Sequence, residues 1–423
     1  MHFFNYRGRT LYAEGVKVVD IVTKAGTPCY IYSLKTLKRH FRSFDRAFAK
    51  AAHLVCYSVK ANSNLSVLKA FAGEGSGFDI VSGGELFRAR KAGADPRKIV
   101  FSGVGKRTDE IEYALKTGIL MFNAESPQEL RAIDAAAKRL GKKAGVAIRV
   151  NPDVDPRTHP YISTGLKKNK FGMPEAMAIR EYINAKNNLR NLNPIGIDCH
   201  IGSQITRIRP FVDALKKTKA LLSRLRREGL DIKYLDMGGG LGITYDTEVP
   251  PHPTRYGEAV MEETKGLGLT LIFEPGRVMA GNAGILATRV LYTKEGAGKN
   301  FVIVDAAMND LARPSLYGSY HAIKAARRSN GEIIADVVGP VCESGDFLAK
   351  DRLIPEVKQG DILAVMSAGA YGFSMSSNYN SRPRAAEVMV DGNGFRVIRK
   401  RETLQSLIRG EEGAFKAKAK KRK

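Results

Sequence analysis

Four short stretches carry residue types that could do chemistry. VCYSVKANSN at 55 to 64 ends a run of apolar and small residues in Lys60, followed by a turn-forming Ala61-Asn62-Ser63-Asn64. CHIGSQ at 199 to 204 sets His200 and Ser203 behind another apolar run, DMGGGLG at 236 to 242 carries Gly238, Gly239 and Gly240 in a row, and EPGR at 274 to 277 joins Glu274, Pro275, Gly276 and Arg277. Each has an ordinary reading on its own: a surface lysine, a structural histidine, a turn. Together they name a chemistry. Glycines without side chains let backbone N–H groups approach a phosphate, and Ser203 and Arg277 add donors. A lysine amine freed by desolvation forms an imine with an aldehyde. A carboxylate such as Glu274 beside a ring nitrogen keeps that ring protonated and electron-withdrawing. Lysine, phosphate cradle and carboxylate point to pyridoxal 5'-phosphate.

These groups need a scaffold that brings strand ends to one place. Apolar runs recur at 54–59, 78–81, 99–101, 119–122, 145–150, 195–199, 232–236 and 269–273, and most gaps hold helical patterns such as 85–93, 126–140 and 210–229. Eight strand and helix units over about 240 residues predict a parallel (β/α)8 barrel, whose chemistry lies where strands finish. A doubly wound sheet is the runner-up. In the barrel, Lys60 ends strand one, Asp79 lies in strand two, strand five runs into the polar loop at 151–172, and strands six, seven and eight end at His200, the glycine run and Glu274.

After Arg277 the pattern changes to closely spaced strand-like runs with Gly and Asn-Gly turns, among them GILATRVLYT, NFVIVDAAM, GEIIADVVG, DILAVMSAG, AAEVMVDG and FRVIRK. The fold class expected is α/β: a barrel with a mostly β domain, sandwich-like or barrel-like, behind it. TLYAEGVKVVDIVTKAGTPCYIYS also reads as strands and turns and is expected to join that domain. The predicted organisation is 1–36 as N-terminal strands, 37–278 as barrel, 279–410 as β domain and 411–423 as a basic, disordered tail.

Composition restricts the partners. The chain has 423 residues, 43% hydrophobic and 26% charged, as ordinary globular proteins do. Its formal charge is +25, but six positive charges sit in the Ala-interleaved tail AFKAKAKKRK, leaving +19 spread along the body without aromatic interleaving or a nucleic-acid motif. Specific nucleic-acid binding is not expected. No leader-like start and no run of about 18 apolar residues is present, so no membrane span and a cytoplasmic location are expected. Cys29, Cys56, Cys199 and Cys342 are widely spaced with no C-x-x-C, which argues against a zinc site and a disulfide framework. No metal is expected. Cys342, between Gly339-Pro340 and Glu343-Ser344, sits in a polar turn where burial does not explain it.

YSVKAN, FDIVSGGEL, HIGSQ, DMGGGLG, EPGR, ARPSLYGSYH, GPVCESGD and AGAYG follow one another in an order that resembles the barrel-type pyridoxal-phosphate decarboxylases of basic amino acids, over nearly the whole chain. The closest likeness is to the branch acting on meso-2,6-diaminopimelate. The resemblance implies Lys60 as Schiff-base lysine and His200 stacked on the cofactor ring. It places Ser203, Gly240 and Gly276 at the phosphate, Glu274 at the ring nitrogen and Cys342 as proton donor. It further implies Arg277, Arg313 and Tyr317 at the distal carboxylate of the substrate, Glu343 at its distal ammonium, Tyr371 touching substrate and cofactor, and a homodimer with shared sites. An ornithine-type substrate ends in an amine alone, which the Arg313 guanidinium would face unfavourably. Decarboxylation of another basic amino acid, or a non-catalytic cofactor-binding homologue, are the alternatives; the second would have lost Lys60, Cys342 or Glu274, and all three are present.

Overall fold

The computed structural model describes residues 2–155, 170–296 and 298–411. The chain divides into two compact units, one built from Thr36–Asn282 and the other from Met1–Lys35 with Ala283–Lys423. Part of the polar loop at 151–172 and the basic tail from residue 412 lie outside the described residues.

The first unit is an eight-stranded parallel barrel. Its strands are β1 (His53–Ser58), β2 (Gly77–Ile80), β3 (Ile99–Phe101), β4 (Met121–Ala124), β5 (Ala144–Asn151), β6 (Leu192–Asp198), β7 (Tyr234–Asp236) and β8 (Thr270–Phe273). Each pairs in parallel with the next, and β8 pairs back to β1 through Leu271↔His53, Ile272↔Leu54 and Phe273↔Val55, so no edge is left. The expected (β/α)8 barrel is therefore the architecture found. Helices start where the sequence supplies caps: the Ser82 hydroxyl accepts from the Glu85 N–H, and Glu85 in return accepts from the Val81 N–H. Ser126 does the same for Glu129, with Pro127 in the first turn.

Inside the barrel, side chains follow a period of two. Cys56, Val100, Met121, Ala147 and Ile272 form an apolar layer with Tyr234 packed against it. Gly77 and Gly196 complete it, because a Cβ on Gly77 would lie 2.8 Å from Cys56 Sγ, and one on Gly196 would lie 3.1 Å from Ala147 Cβ and 3.2 Å from Met121 Sδ. Two residues further along each of the eight strands comes a buried polar side chain: Ser58, Asp79, Ser102, Asn123, Arg149, Asp198, Asp236 and Glu274. The apolar layer floors the site.

The second unit is mostly β. The long strand Gly284–Gly296 pairs antiparallel with Lys299–Val304, with Ile362–Val365 and with Cys29–Ser33, and the last of these also pairs in parallel with Ala386–Asp391. The N-terminal strands thus belong to this unit, as expected. The expectation of strands and turns throughout 10–33 was too simple: Val18–Ala25 is a helix. Its β-branched VVDIV reads as a strand, but Val18, Ile21 and Val22 bury one face at helical spacing. A second strand-rich segment, Phe347–Pro355, pairs antiparallel with Glu332–Val338 although it was not singled out. No helix among the described residues is long and apolar enough to cross a membrane.

Gly196→Val should force methyl groups against Ala147, Met121 and Tyr234 and destabilise the protein by about 1–3 kcal/mol, the usual cost of overpacking. Urea unfolding followed by circular dichroism should show a lower midpoint at unchanged slope. An unchanged midpoint would mean that Gly196 does not face the packed layer.

Candidate active site

Strand β1 ends at Ser58, and Val59–Ala61 turns as a short 3-10 helix. Lys60 therefore sits one turn past the strand rather than on its last residue. That turn is anchored to the end of β8: the Ser58 N–H donates to the Pro275 carbonyl at 3.2 Å, and the Ser58 hydroxyl donates to Asp79 while lying 3.2 Å from the Glu274 carbonyl oxygen. Lys60 Nζ donates to Asp79 Oδ2 at 2.8 Å. The desolvation expected for this lysine is incomplete, since its side chain keeps 39% exposure while Asp79 is wholly buried. An ion pair aims the amine.

The glycine run is required sterically. A Cβ on Gly238 would come 2.5 Å from His200 Nδ1, one on Gly239 would meet the Glu274 carbonyl oxygen, and one on Gly240 would come 2.6 Å from the Gly202 carbonyl oxygen. Gly238 and Gly240 also have φ of 60° and 115°, which glycine adopts without strain. The run is tied to the loop after β6, because the Ile205 N–H donates to the Gly240 carbonyl at 2.8 Å and the Gly242 N–H to the Ile205 carbonyl at 3.0 Å. His200 accepts on Nδ1 from the Gly239 N–H at 3.2 Å. Burial, with Arg149 and Lys60 nearby, pushes the His200 imidazole well below its ordinary value. It is a neutral, oriented ring whose proton is on Nε2.

Gly276 stands at the start of the short helix Arg277–Ala280. The buried Arg277 guanidinium donates to the Tyr245 hydroxyl at 2.7 Å and to Ser203 Oγ at 3.0 Å, so the Ser203 hydroxyl keeps its own proton to donate. Lys60, Asp79, His200, Ser203, Gly238–240, Glu274, Pro275, Gly276 and Arg277 all belong to this one end of the barrel.

Sequence reasoning missed the groups between them. Glu274 Oε1 accepts from Ser102 Oγ at 3.0 Å and lies 3.2 Å from Asn123 Nδ2, and the same amide donates to Asp236 Oδ2 at 3.0 Å. Asp236 Oδ1 accepts from the Gly238 N–H at 2.9 Å, which couples the carboxyl cluster to the glycine run. Arg149 donates to Glu125 at 3.0 Å and stands 3.9 Å from Asp198. Burial first, and then their neighbouring carboxylates, raise Glu274 and Asp198 well above the ordinary carboxyl range. Asp236 is pushed up to about 6 by burial, against the bonds from Asn123 and Gly238. The signal for these residues was one polar side chain at or near the end of each apolar run, as in IVFS and MFNA.

The remaining expected residues lie in the β unit. Arg313 opens the short helix Arg313–Tyr317, and its buried guanidinium donates to Ser319 Oγ at 3.2 Å and to His321 Nε2 at 3.4 Å, 5.8 Å from the centre of the Tyr317 ring. His321 Nδ1 lies 2.8 Å from the Met366 carbonyl oxygen and donates to it, so Nε2 is the accepting nitrogen. Ser315 Oγ donates to the Gly345 carbonyl at 2.6 Å, which ties this helix to the turn carrying Cys342 and Glu343. Asp346 braces that turn by accepting from the Val341 N–H at 2.7 Å and the Met308 N–H at 2.6 Å. Cys342 is exposed, as its polar turn implies, while Cys29, Cys56 and Cys199 are buried. Tyr371 holds a φ of 55°, a left-handed conformation uncommon for a side chain of its size.

The raised Asp236 carboxyl makes stability depend on pH. Between the ordinary value near 4 and about 6 the folded state holds a proton that the unfolded chain has released, so its contribution to stability falls as pH rises through that window. Asp236→Asn should remove up to about 3 kcal/mol of that fall in ligand-free protein. Urea midpoints taken every half unit of pH check this, and equal slopes in both proteins would refute it.

Comparison with known proteins agrees with this geometry. Residues 34–281 match the family model described as pyridoxal-dependent decarboxylase, pyridoxal binding domain. The diaminopimelate decarboxylase of Vibrio cholerae is 52% identical over 96% of this chain and 98% of its own length, and that of Pseudomonas aeruginosa 53% identical over 97% and 99%. A crystal structure of diaminopimelate decarboxylase from Helicobacter pylori, complexed with L-lysine, superposes with a TM-score of 0.91 at 46% identity, covering 94% of this chain and 100% of that one. Both the sequence match and the shared architecture place this chain in the pyridoxal-dependent decarboxylase family, in its diaminopimelate decarboxylase branch.

Proposed function

We infer that this protein decarboxylates meso-2,6-diaminopimelate to L-lysine and carbon dioxide, the last step of lysine biosynthesis, with pyridoxal 5'-phosphate as cofactor. Identity above 50% to diaminopimelate decarboxylases over almost the full chain carries this reading. It is consistent with the chemistry of the residues. A cytoplasmic location goes with a biosynthetic role of this kind.

The barrel mouth fits the cofactor. Asp79 Oδ1 is buried without a hydrogen-bond partner beside the Lys60 amine, the glycine run has no room for side chains, and Ser203 keeps a proton to donate. The buried carboxyls of Asp198, Asp236 and Glu274, whose proton affinity is raised, favour a protonated ring nitrogen in their midst. Lys60 would hold the cofactor aldehyde, the Gly238–Gly240 run, Gly276, Ser203 and Arg277 its phosphate, and Glu274 its ring nitrogen, with Pro275 closing that turn. Pyridoxal phosphate supplies an aldehyde that captures amines and a ring that accepts the electrons left when carbon dioxide departs.

The chain's own residues do the rest. Glu274, fixed by Ser102 and Asn123, holds a proton where electron density must be drawn. Neutral His200 offers a flat, uncharged face and does not compete with the cation. Asp79 orients the Lys60 amine and balances the charge of its ammonium form. Arg277, Arg313 and Tyr317 suit the distal carboxylate of the substrate and Glu343 its distal ammonium. Tyr371 would touch substrate and cofactor, and Cys342, the exposed cysteine, delivers a proton to the carbon that lost its carboxylate. The barrel groups and these β-unit groups would meet in a two-fold homodimer, each site drawing on both subunits.

Carbon dioxide release should be rapid from meso-diaminopimelate and negligible from ornithine, arginine and lysine. Arg313→Ala should lower kcat/KM for diaminopimelate by about 2–5 kcal/mol, the cost of leaving a buried charge unpaired. A loss below about 0.5 kcal/mol would remove Arg313 from the site and reopen the ornithine reading.

Lys60→Ala and Cys342→Ala should each be nearly inactive. After subunit exchange, an equal mixture should recover about a quarter of wild-type activity, because half the dimers are mixed and each has one intact shared site. No recovery, with exchange verified by sedimentation, would mean sites built within one chain.

A further inference from the structure

The β unit presents Glu343 at the surface, where an unrestrained carboxylate samples several rotamers. It is restrained here by a neighbour that neither the sequence motifs nor the functional reading above includes. The Tyr379 hydroxyl donates to Glu343 Oε2 at 2.6 Å. The other oxygen lies close over Gly345, where a Cβ would come 3.1 Å from Oε1. The carboxylate is thus held between a phenol on one oxygen and backbone under the other.

The loop that carries Tyr379 is itself locked. Asn380 and Ser381 have φ of 55° and 52°, left-handed conformations that cost a serine energy and that Asn tolerates best among residues with side chains. The cost is offset by contacts at both ends. Asn380 Oδ1 accepts from the Cys342 N–H at 3.0 Å, Asn378 Nδ2 donates to the Arg382 carbonyl at 3.0 Å and to Glu402 Oε2 at 2.6 Å, and Arg382 Nε donates to Asn309 Oδ1 at 3.0 Å. The Ser377 N–H donates to the Asn309 carbonyl at 2.9 Å. Strained exposed backbone kept in place by five hydrogen bonds is a fixed mount. The Glu343 carboxylate also raises the Tyr379 phenol above its ordinary value, so Tyr379 remains a donor throughout the neutral range.

We propose that Tyr379 is a positioning residue for substrate specificity: its hydroxyl fixes the Glu343 carboxylate in the orientation that receives the distal ammonium of the substrate. The inference rests on the reading of Glu343 as the ammonium partner. Tyr379 satisfies one oxygen of Glu343 and leaves the other for the ammonium, so the site does not have to order the side chain at the moment of binding. The effect belongs to recognition of the far end of the substrate. Chemistry at the near end is untouched.

Tyr379→Phe removes the hydroxyl alone from a surface-exposed ring and leaves folding intact. With meso-diaminopimelate, KM should rise about tenfold or more while kcat stays within about threefold, the scale of a hydrogen bond to a charged group. With 2-aminopimelate, which keeps the distal carboxylate but lacks the distal ammonium, kcat/KM should not change. In a Glu343→Gln background, Tyr379→Phe should add no further loss, as two residues acting through one contact require. If Glu343→Gln raises KM for diaminopimelate but Tyr379→Phe does not, the positioning role is wrong while the reading of Glu343 stands. Equal losses on both substrates, or additive losses in the double variant, would also overturn it by making Tyr379 a general structural support. Should Glu343→Gln leave KM unchanged, the reading of Glu343 itself fails, and the inference with it.

Discussion

Strand parity is the constraint on which the barrel's chemistry depends. A residue two positions beyond an inward-facing one faces inward again, so eight strands with a shared apolar layer must present eight further side chains at the next level. Here that level is Ser58, Asp79, Ser102, Asn123, Arg149, Asp198, Asp236 and Glu274. A one-residue slip in any strand would turn its polar group outward among the helices and an outward apolar group into the mouth. The parallel register that closes the barrel and the placement of Glu274 relative to Asn123 and Asp236 are therefore one condition rather than two.

Placing four carboxyls in a buried ring is costly unless their charges are shared or suppressed. The structure does both. Asp79 faces Lys60, and Asp198 has Arg149 at 3.9 Å. Asp236 takes an amide hydrogen from Asn123 and a backbone N–H from Gly238, yet still keeps a raised proton affinity. The Gly238 bond makes the glycine run part of the same network, so the conformation of that run and the protonation of the ring's carboxyls are fixed by common contacts. His200 is held neutral by burial and by its basic neighbours. A carboxyl cluster of raised proton affinity beside an imidazole held neutral is the electrostatic setting on which the proposed cofactor reading draws.

Much of this was legible in the sequence because it is periodic or steric. Eight apolar runs, the glycine run, EPGR and the turn-bound Cys342 announce themselves by pattern. Ser102, Asn123, Arg149, Asp198 and Asp236 were not so legible, since one polar residue after three or four apolar ones reads as the end of a strand. Only the closed barrel tells that such an end points inward. Val18–Ala25 misled for a different reason: three valines and an isoleucine have strand propensity, and tertiary burial of Val18, Ile21 and Val22 overrode it. The 3-10 turn that carries Lys60 past its strand is likewise set by contact, through the Ser58 bonds to the end of β8.

The two units fix their functional groups by different physics. In the barrel, the eight side chains of the polar ring are buried and packing leaves each a single position. In the β unit Cys342, Glu343 and Tyr379 are exposed, so burial cannot hold them and backbone anchoring must. Asp346 fastens the turn to Met308 and Val341, Ser315 fastens it to the Arg313 helix, and Asn380 fastens it to the strained loop. Arg313 is oriented by the same strategy one step removed, through His321 and the Met366 carbonyl. Groups held this way can be reoriented by altering one surface hydrogen bond, with no change to the core beneath them. The barrel has no such freedom, because its polar ring and its packed layer alternate along the same strands. On the proposed reading of these residues, substrate specificity is the adjustable property of this architecture and cofactor chemistry the fixed one.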